Sequence, residues 1–161
     1  MKNRYYGIWF YGLSGSGKTF ASKYIEKKIS KSFVIDGDVV RKTLSTDLDY
    51  SLKSRMIQIR RVFSISEICI LNKFFPIIST VFMDKYIVQR CKKKKILVIK
   101  INRNNFEKII NSHKTYKNKK NVVGKDINFK KFKTDNIINS GDKNFCKNLN
   151  LITKFLKKKD I

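Results

Sequence analysis

Gly12-Leu13-Ser14-Gly15-Ser16-Gly17-Lys18-Thr19 has the spacing G-x-x-x-x-G-K-[ST], and these residue types at these intervals can hold a chain of phosphates. The glycines let the backbone turn its N–H groups toward one anion, at the positive end of a following helix. Gly12, Ser14, Gly15, Ser16, Gly17, Lys18 and Thr19 are therefore the candidate ATP-binding residues. In such a loop the lysine reaches the β- and γ-phosphates and the neighbouring hydroxyl binds Mg²⁺, which makes Lys18 a catalytic candidate and Thr19 a metal candidate. A plain Gly/Ser turn is the competing explanation, and the flanks argue against it. Ahead of the loop, Gly7-Ile8-Trp9-Phe10-Tyr11 is short, apolar and aromatic, as a buried strand should be; behind it, Phe20, Ala21, Tyr24, Ile25 and Ile29 have helical spacing.

The rest of the chain supplies elements to position that loop. Ser32-Phe33-Val34-Ile35 reads as a second strand that delivers Asp36-Gly37-Asp38 at its carboxyl end. From Ser51, a reasonable N-cap, to about Lys73, the residues Met56, Ile59, Val62, Phe63, Ser66, Cys69 and Ile70 form one face of a long helix, with Arg55, Arg60 and Lys73 off it. Ile77 to Phe82 predicts a third strand, Tyr86 to Arg90 a short helix, Ile96 to Ile99 a fourth strand and Asn105 to Asn111 another helix. Asn136 to Asn139 is a short last strand, followed by a terminal helix carrying Leu149, Ile152, Phe155 and Leu156. Between them, residues 114–132 are polar, basic and weakly patterned, too long for an idle connection, so they are either disordered or a lid. Repeated βα units predict an α/β fold, a mainly parallel central sheet with helices on both faces, in one domain. Ligands bind at the carboxyl ends of such strands, where the loop, Asp36 and Asp38 all fall.

Composition narrows the class. The chain of 161 residues is long enough to bury a core without staples, and Cys69, Cys91 and Cys146, with no C-x-x-C spacing and only His113 for company, predict free thiols rather than zinc or disulfides. The N-terminal apolar run is short and leads straight into the glycine loop, so no signal peptide is expected; Asn72, Lys73 and Pro76 break the apolar stretch from Ile68 to Met83. A soluble cytoplasmic protein is the expectation. The formal charge of +25 invites a nucleic-acid reading through the runs Lys92 to Lys95, Lys117-Asn118-Lys119-Lys120, Lys130-Lys131-Phe132-Lys133 and Lys157 to Lys159. Lys, Asn and Ile are all abundant, however, as an AT-rich coding bias would produce, and the runs fall at element ends where lysine is easily solvated. No membrane or nucleic-acid partner is thus expected, with a homodimer left open; the surplus charge would steer anionic nucleotides, ATP among them, inward.

Asp36-Gly37-Asp38-Val39-Val40-Arg41, Asp47-Leu48-Asp49-Tyr50-Ser51 and Ser54-Arg55-Met56-Ile57-Gln58-Ile59-Arg60-Arg61, placed beside the glycine loop, resemble the motifs of the adenylylsulfate kinase family of P-loop kinases. Those are G-L-S-G-[AS]-G-K-[ST], D-G-D-N-x-R and D-L-G-F-S-x-x-D-R-x-x-N-I-R-R. Lys120-Asn121-Val122-Val123-Gly124-Lys125-Asp126 is similar to the family's lid segment, K-N-F-T-G-x-D. The resemblance implies a P-loop kinase fold and transfer of the γ-phosphoryl group of ATP to a ribose 3′-hydroxyl, with adenylylsulfate the default acceptor and Mg²⁺ the cofactor. It implies that Arg41 and Arg55 hold the acceptor's anionic groups, that Tyr50 stacks on its base, and that Asp36 and Asp38 sit beside Mg²⁺ and the attacking hydroxyl. Lys18, Asp36 and Asp38 become the catalytic set, and Thr19 with Asp36 the metal set. Which carboxylate acts as base stays open.

The departures from the motifs lie on the acceptor side. Val39 stands for Asn, Asp49 for Gly and Gln58 for Asn; Val81-Phe82-Met83-Asp84 occupies the place of I-S-P-Y, and Val122 that of a lid phenylalanine. Gln58, Val81 and Val122 therefore complete the candidate acceptor pocket. Losing one stacking face is worth on the order of 1 kcal/mol. Two alternatives follow: a related kinase whose retuned pocket takes another nucleotide conjugate, such as a cytidine diphosphoramidate used in surface-polysaccharide modification, and, from a different class, a basic P-loop protein that binds nucleotide or nucleic acid without transfer.

Overall fold

A computed structural model describes residues 4–104, 106–113, 116–117, 120–128, 132–141 and 143–157. Lys119, Lys130, Lys131, Lys158 and Lys159 of the basic runs, Lys114 of the lid-like stretch and Asn105 at the start of a predicted helix lie outside them.

Among the described residues the elements follow one another as β1 (Gly7–Tyr11), α1 (Lys18–Glu26), β2 (Ser32–Asp36), α2 (Gly37–Thr43), α3 (Leu52–Leu71), β3 (Phe75–Thr80), α4 (Lys85–Lys93), β4 (Ile96–Arg103), α5 (Phe106–Ser112), β5 (Asp135–Asn139) and α6 (Lys143–Lys157). The strands form one sheet in the order β2-β3-β1-β4-β5, every neighbouring pair parallel. This is the three-layer P-loop kinase fold.

Strand β1 is buried along its whole length, because it lies mid-sheet with helices on both faces. Its alternate side chains serve different layers. Trp9 and Tyr11 pack with Ile59, Val62 and Phe63 of α3 and Ile87 and Cys91 of α4; Ile8 and Phe10 pack with Ala21 and Ile25 of α1 and Phe145 and Leu149 of α6. Each such fully buried aliphatic or aromatic side chain contributes roughly 1.5–3 kcal/mol of transfer free energy. The Trp9 indole is paired within this core: Nε1 donates to Thr80 Oγ1 at 2.8 Å, and that hydroxyl donates to Phe82 O at 2.9 Å.

The structure corrects several sequence expectations. Strand β3 runs from Phe75 to Thr80 rather than 77–82, since Pro76 near a strand's start removes only one ladder donor. Val81 and Phe82 thereby leave the sheet and line the cleft beyond it. Helix α2 was not expected; Asp36 caps it by accepting Asp38 N–H at 2.8 Å, so the D-G-D segment is a helix start. Arg55 lies on the buried side of α3, not off it, at 9% exposure. Ser51 is the N-cap of α3 as read, its hydroxyl accepting Ser54 N–H at 3.3 Å.

At the other end of α3, Lys73 N–H reaches Ile70 O at 3.0 Å and Phe74 N–H reaches Cys69 O at 2.9 Å, a Schellman motif. Its left-handed position is filled by Lys73 (φ 61°) where glycine is usual, and Lys31 (φ 50°) and Lys95 (φ 54°) are left-handed just ahead of β2 and β4. Cys69, Cys91 and Cys146 are free, and burial pushes the Cys91 thiol up to about 12. Among the described residues no helix is long and apolar enough to cross a membrane.

Candidate functional site

The loop between β1 and α1 is shaped by contacts that its own sequence does not contain. Asn139, at the carboxyl end of β5, donates from Nδ2 to Ser16 O at 2.8 Å and accepts Gly141 N–H at 2.9 Å. A Cβ on Gly17 (φ 100°) would come within 2.3 Å of that Nδ2, so only glycine permits the approach. Arg103, ending β4, donates to Gly15 O at 3.0 Å, and Tyr116 OH donates to Ser14 O at 3.3 Å. Three of the loop's carbonyls are thus held from outside, while Gly12 N–H donates to Thr80 O at 3.3 Å and Ser16 N–H to Leu13 O at 3.1 Å. None of Asn139, Arg103 and Tyr116 was a sequence candidate; only the rule that ligands gather at strand carboxyl ends points toward Arg103 and Asn139.

Lys18, the first residue of α1, donates from Nζ to Leu13 O at 2.9 Å and so arches over the loop. Burial presses its ammonium down to about 8, while Asp38 and then Asp36 pull it the other way. The Asp36 carboxylate is fixed on both oxygens: Oδ1 accepts Asp38 N–H, and Oδ2 accepts Ser79 Oγ at 3.1 Å and Thr19 Oγ1 at 3.4 Å. Asp38 is different, for no hydrogen bond reaches its side chain among the described residues, though it lines the same cleft. Thr19 and Asp36 thus place a hydroxyl and a carboxylate oxygen side by side at the phosphate end. Hard oxygen donors of this kind, few in number, suit Mg²⁺, which keeps waters and phosphates for its remaining positions. Among the described residues no cluster of three or more His, Cys, Asp or Glu offers a dedicated cage.

Across a cleft of about 400 Å³ lie the acceptor candidates Arg41, Tyr50, Arg55, Gln58 and Val81. Arg41 sits 4.8 Å and Arg55 5.5 Å from the centre of the Tyr50 ring, so two guanidiniums fix one aromatic. Arg41 Nη1 donates to Asp49 O at 2.6 Å; Arg55 Nε donates to Tyr50 O at 3.1 Å and Nη2 to Asn121 O at 2.8 Å. Burial and the neighbouring Arg41 charge draw the Arg55 guanidinium down from its usual value, with Tyr50 and Asp38 opposing. Gln58, only 4% exposed, donates from Nε2 to Gly37 O at 3.0 Å, and its Oε1 has no hydrogen-bond partner among the described residues. A buried acceptor left so costs about 1–3 kcal/mol unless a ligand supplies the donor.

Val122 lines an adjoining cleft of about 180 Å³ together with Ser14, Asp38, Tyr50, Arg55 and Val81. Its segment is no loose loop where it is described. Val122 and Val123 are buried, Val122 N–H donates to Asp126 Oδ2 at 2.9 Å, and Gly124 (φ 90°) lies so close to Leu13 that a Cβ there would meet its methyl at 2.8 Å. Residues 121–124 of the lid-like stretch are therefore docked on the phosphate loop itself, joined to the wall of α3 through the Arg55–Asn121 bond. Every site residue expected from sequence falls on these two clefts or on the loop that walls them.

Comparison with known proteins gives a family. The model of the family described as adenylylsulphate kinase matches residues 4–124. The probable adenylyl-sulfate kinase of Synechocystis sp. is 38% identical over 85 residues, covering 50% of this chain and 48% of the relative. The adenylyl-sulfate kinase of Clostridium acetobutylicum is 37% identical over 95 residues, covering 56% of this chain and 46% of the relative. The chain thus spans about half the length of the curated relatives it matches. In three dimensions it superposes on the Mycobacterium tuberculosis APS kinase CysC, solved in complex with AMPPNP and APS, with TM-score 0.77 and 20% identity over 92% of this chain and 98% of that one. The glycine loop, the D-G-D helix start and the arginines of α2 and α3 all lie within the matched residues, and the chain belongs to the adenylylsulfate kinase family.

Proposed function

We propose that this protein transfers the γ-phosphoryl group of ATP to the ribose 3′-hydroxyl of adenylylsulfate. The observation that carries the reading is the pairing of two anion-binding walls across one cleft: the phosphate loop with Lys18 on one side, Arg41 and Arg55 around Tyr50 on the other. A protein that only bound triphosphate would have no use for the second wall.

The division of labour follows from the hydrogen bonds. Asp36, with both oxygens engaged, is suited to hold position and a metal's water; Asp38, uncommitted, is suited to orient the 3′-hydroxyl and take its proton. Thr19 and Asp36 would hold Mg²⁺, which when bound neutralises charge on the β- and γ-phosphates. Lys18 spreads further positive charge over the transferred group, and the permanently charged arginines fix the acceptor's anionic groups. Gln58 Oε1 would take a hydroxyl or N–H donor from the bound acceptor. The segment around Val122 closes the cleft against water, which would otherwise compete as acceptor.

A second reading is favoured by one observation. Val122 presents a small aliphatic to the acceptor cleft, with Val81 beside it, so the aromatic stack expected for adenine has one face only, at Tyr50. A retuned kinase acting on another nucleotide conjugate would have that pocket. Purified protein with Mg·ATP should be offered adenylylsulfate, a cytidine diphosphoramidate and other nucleoside diphosphate conjugates, and the products weighed by mass spectrometry. Phosphorylated adenylylsulfate as the main product supports the first reading; preference for a cytidine conjugate moves the assignment to the second. Turnover without any acceptor, stimulated by RNA, would overturn both.

A further inference from the structure

A cleft of about 500 Å³, larger than the one between the phosphate loop and Tyr50, opens at the opposite end of the sheet. It lies where β1, β2 and β3 begin, roughly 15 Å along β1 from the phosphate loop at a strand rise of about 3.3 Å per residue. Tyr6 and Phe74, 42% and 45% exposed, line it with Arg4, Lys31, Lys73 and Lys157, and no carboxylate is among the described residues that line it. Further charge is close by, with the Lys95 ammonium 6.0 Å and the Arg4 guanidinium 5.9 Å from the Tyr6 ring centre.

Two of the lining lysines are held against their conformational preference. Lys31 (φ 50°) and Lys73 (φ 61°) are left-handed, which costs a residue with a Cβ about 1–2 kcal/mol that glycine would avoid. Lysine at a helix C-terminus is favoured by the macrodipole, but that effect needs a cation anywhere in the last turn, not at the left-handed position. Strain retained at two adjacent turns, both feeding cations into one aromatic cleft, marks a site.

We propose that this cleft is a second nucleotide site, separate from the donor and acceptor pockets, which takes a free nucleotide with its base against Tyr6 or Phe74 and its phosphates among Lys31, Lys73 and Lys157. The volume is that of an ordinary small-ligand pocket. Exposed rings supply stacking that any base can use, and the lysines supply the phosphate term.

Photolabelling of the full chain with 8-azido-ADP, followed by peptide mapping, tests it. Label is expected on peptides holding Tyr6 or Phe74 as well as on those at the phosphate loop. The double variant Lys31→Glu/Lys73→Glu should lose at least tenfold of the first label and keep the second, with kinase turnover unchanged. Lys31→Gly/Lys73→Gly should lose the same label while gaining thermal stability, so a failure to fold cannot imitate the result. Label confined to the phosphate loop, or persisting in both double variants, would overturn the proposal. So would displacement by single-stranded RNA without displacement by excess ADP, which would give the cleft to a polynucleotide.

Discussion

The two walls of the candidate cleft, proposed for donor and acceptor, are built differently. The donor wall is backbone: its shape comes from glycines and from carbonyls held by Asn139, Arg103 and Tyr116, and Lys18 is pinned to Leu13 O. The proposed acceptor wall is side chain: Arg41, Tyr50, Arg55, Gln58, Val81 and Val122 determine its outline, and of these Arg55, Gln58 and Val122 are buried deeply enough to be constrained by packing. A backbone wall recognises what all triphosphates share, and it changes little when one side chain is exchanged. A side-chain wall can be refitted to a new ligand by a few substitutions, and that is where this chain departs from its family's motifs.

Substitutions that strike each wall in turn should expose the contrast. Lys18→Ala should lower kcat/KM for ATP by about a thousandfold, as loss of a preorganised charge at a transferring phosphoryl group does, while the melting temperature is kept; full activity would remove the donor assignment. Asp38→Asn should cost about a hundredfold or more in kcat, the scale of general-base loss. Asp36→Ala should also impair transfer, but with a stability loss of about 1 kcal/mol from the lost cap of α2. Equal melting temperatures for Asp36→Ala and Asp38→Asn would contradict their separate roles.

Arg55→Lys should raise the acceptor KM about tenfold and leave the ATP KM unchanged, because an ammonium cannot serve Tyr50 O, Asn121 O and a ligand with one planar fork. An equal rise in both KM values would mean that the walls are not separable. The pH profile gives a smaller effect. Lys18 titrates in the free folded protein at about 8 and in the unfolded chain near 10.5, and only its charged form complements phosphate. Consequently kcat/KM for ATP should fall above about pH 8. Between the two values the unfolded chain binds the extra proton, so the stability contribution of this group rises with pH there, opposite in sign to the activity. Smallest of all, Val122→Phe should improve the relative use of an adenine acceptor about fivefold, the worth of roughly 1 kcal/mol of added stacking. No change would place the base elsewhere.

What could be read from sequence divides along the same line. The glycine loop, β1 and the Ser51 cap of α3 are local patterns, legible because spacing alone specifies them. Helix α2 escaped because it has two turns, opens with Gly37 and carries two valines, so its helical signal is weak; Asp36 followed by an acidic first turn was the available cue. Arg55 was misplaced because charge was equated with exposure, whereas the carbonyls of Tyr50 and Asn121 satisfy it inside. The clamp of Asn139 on Ser16 spans 123 residues, and no periodicity records such a contact. The docking of Val123 and Gly124 on Leu13 was hidden in a stretch whose lysines mask two adjacent buried valines.

The Asn139 clamp also sets an order of events in the life of the chain. Ser16 is made early, yet the residue that fixes its carbonyl belongs to the last strand laid into the sheet. The loop can acquire its final shape only after the chain has closed over long sequence distances, a slow class of contact. Nucleotide binding then becomes a report on completed folding. Ligand added during refolding is therefore expected to favour molecules in which β5 has already been seated.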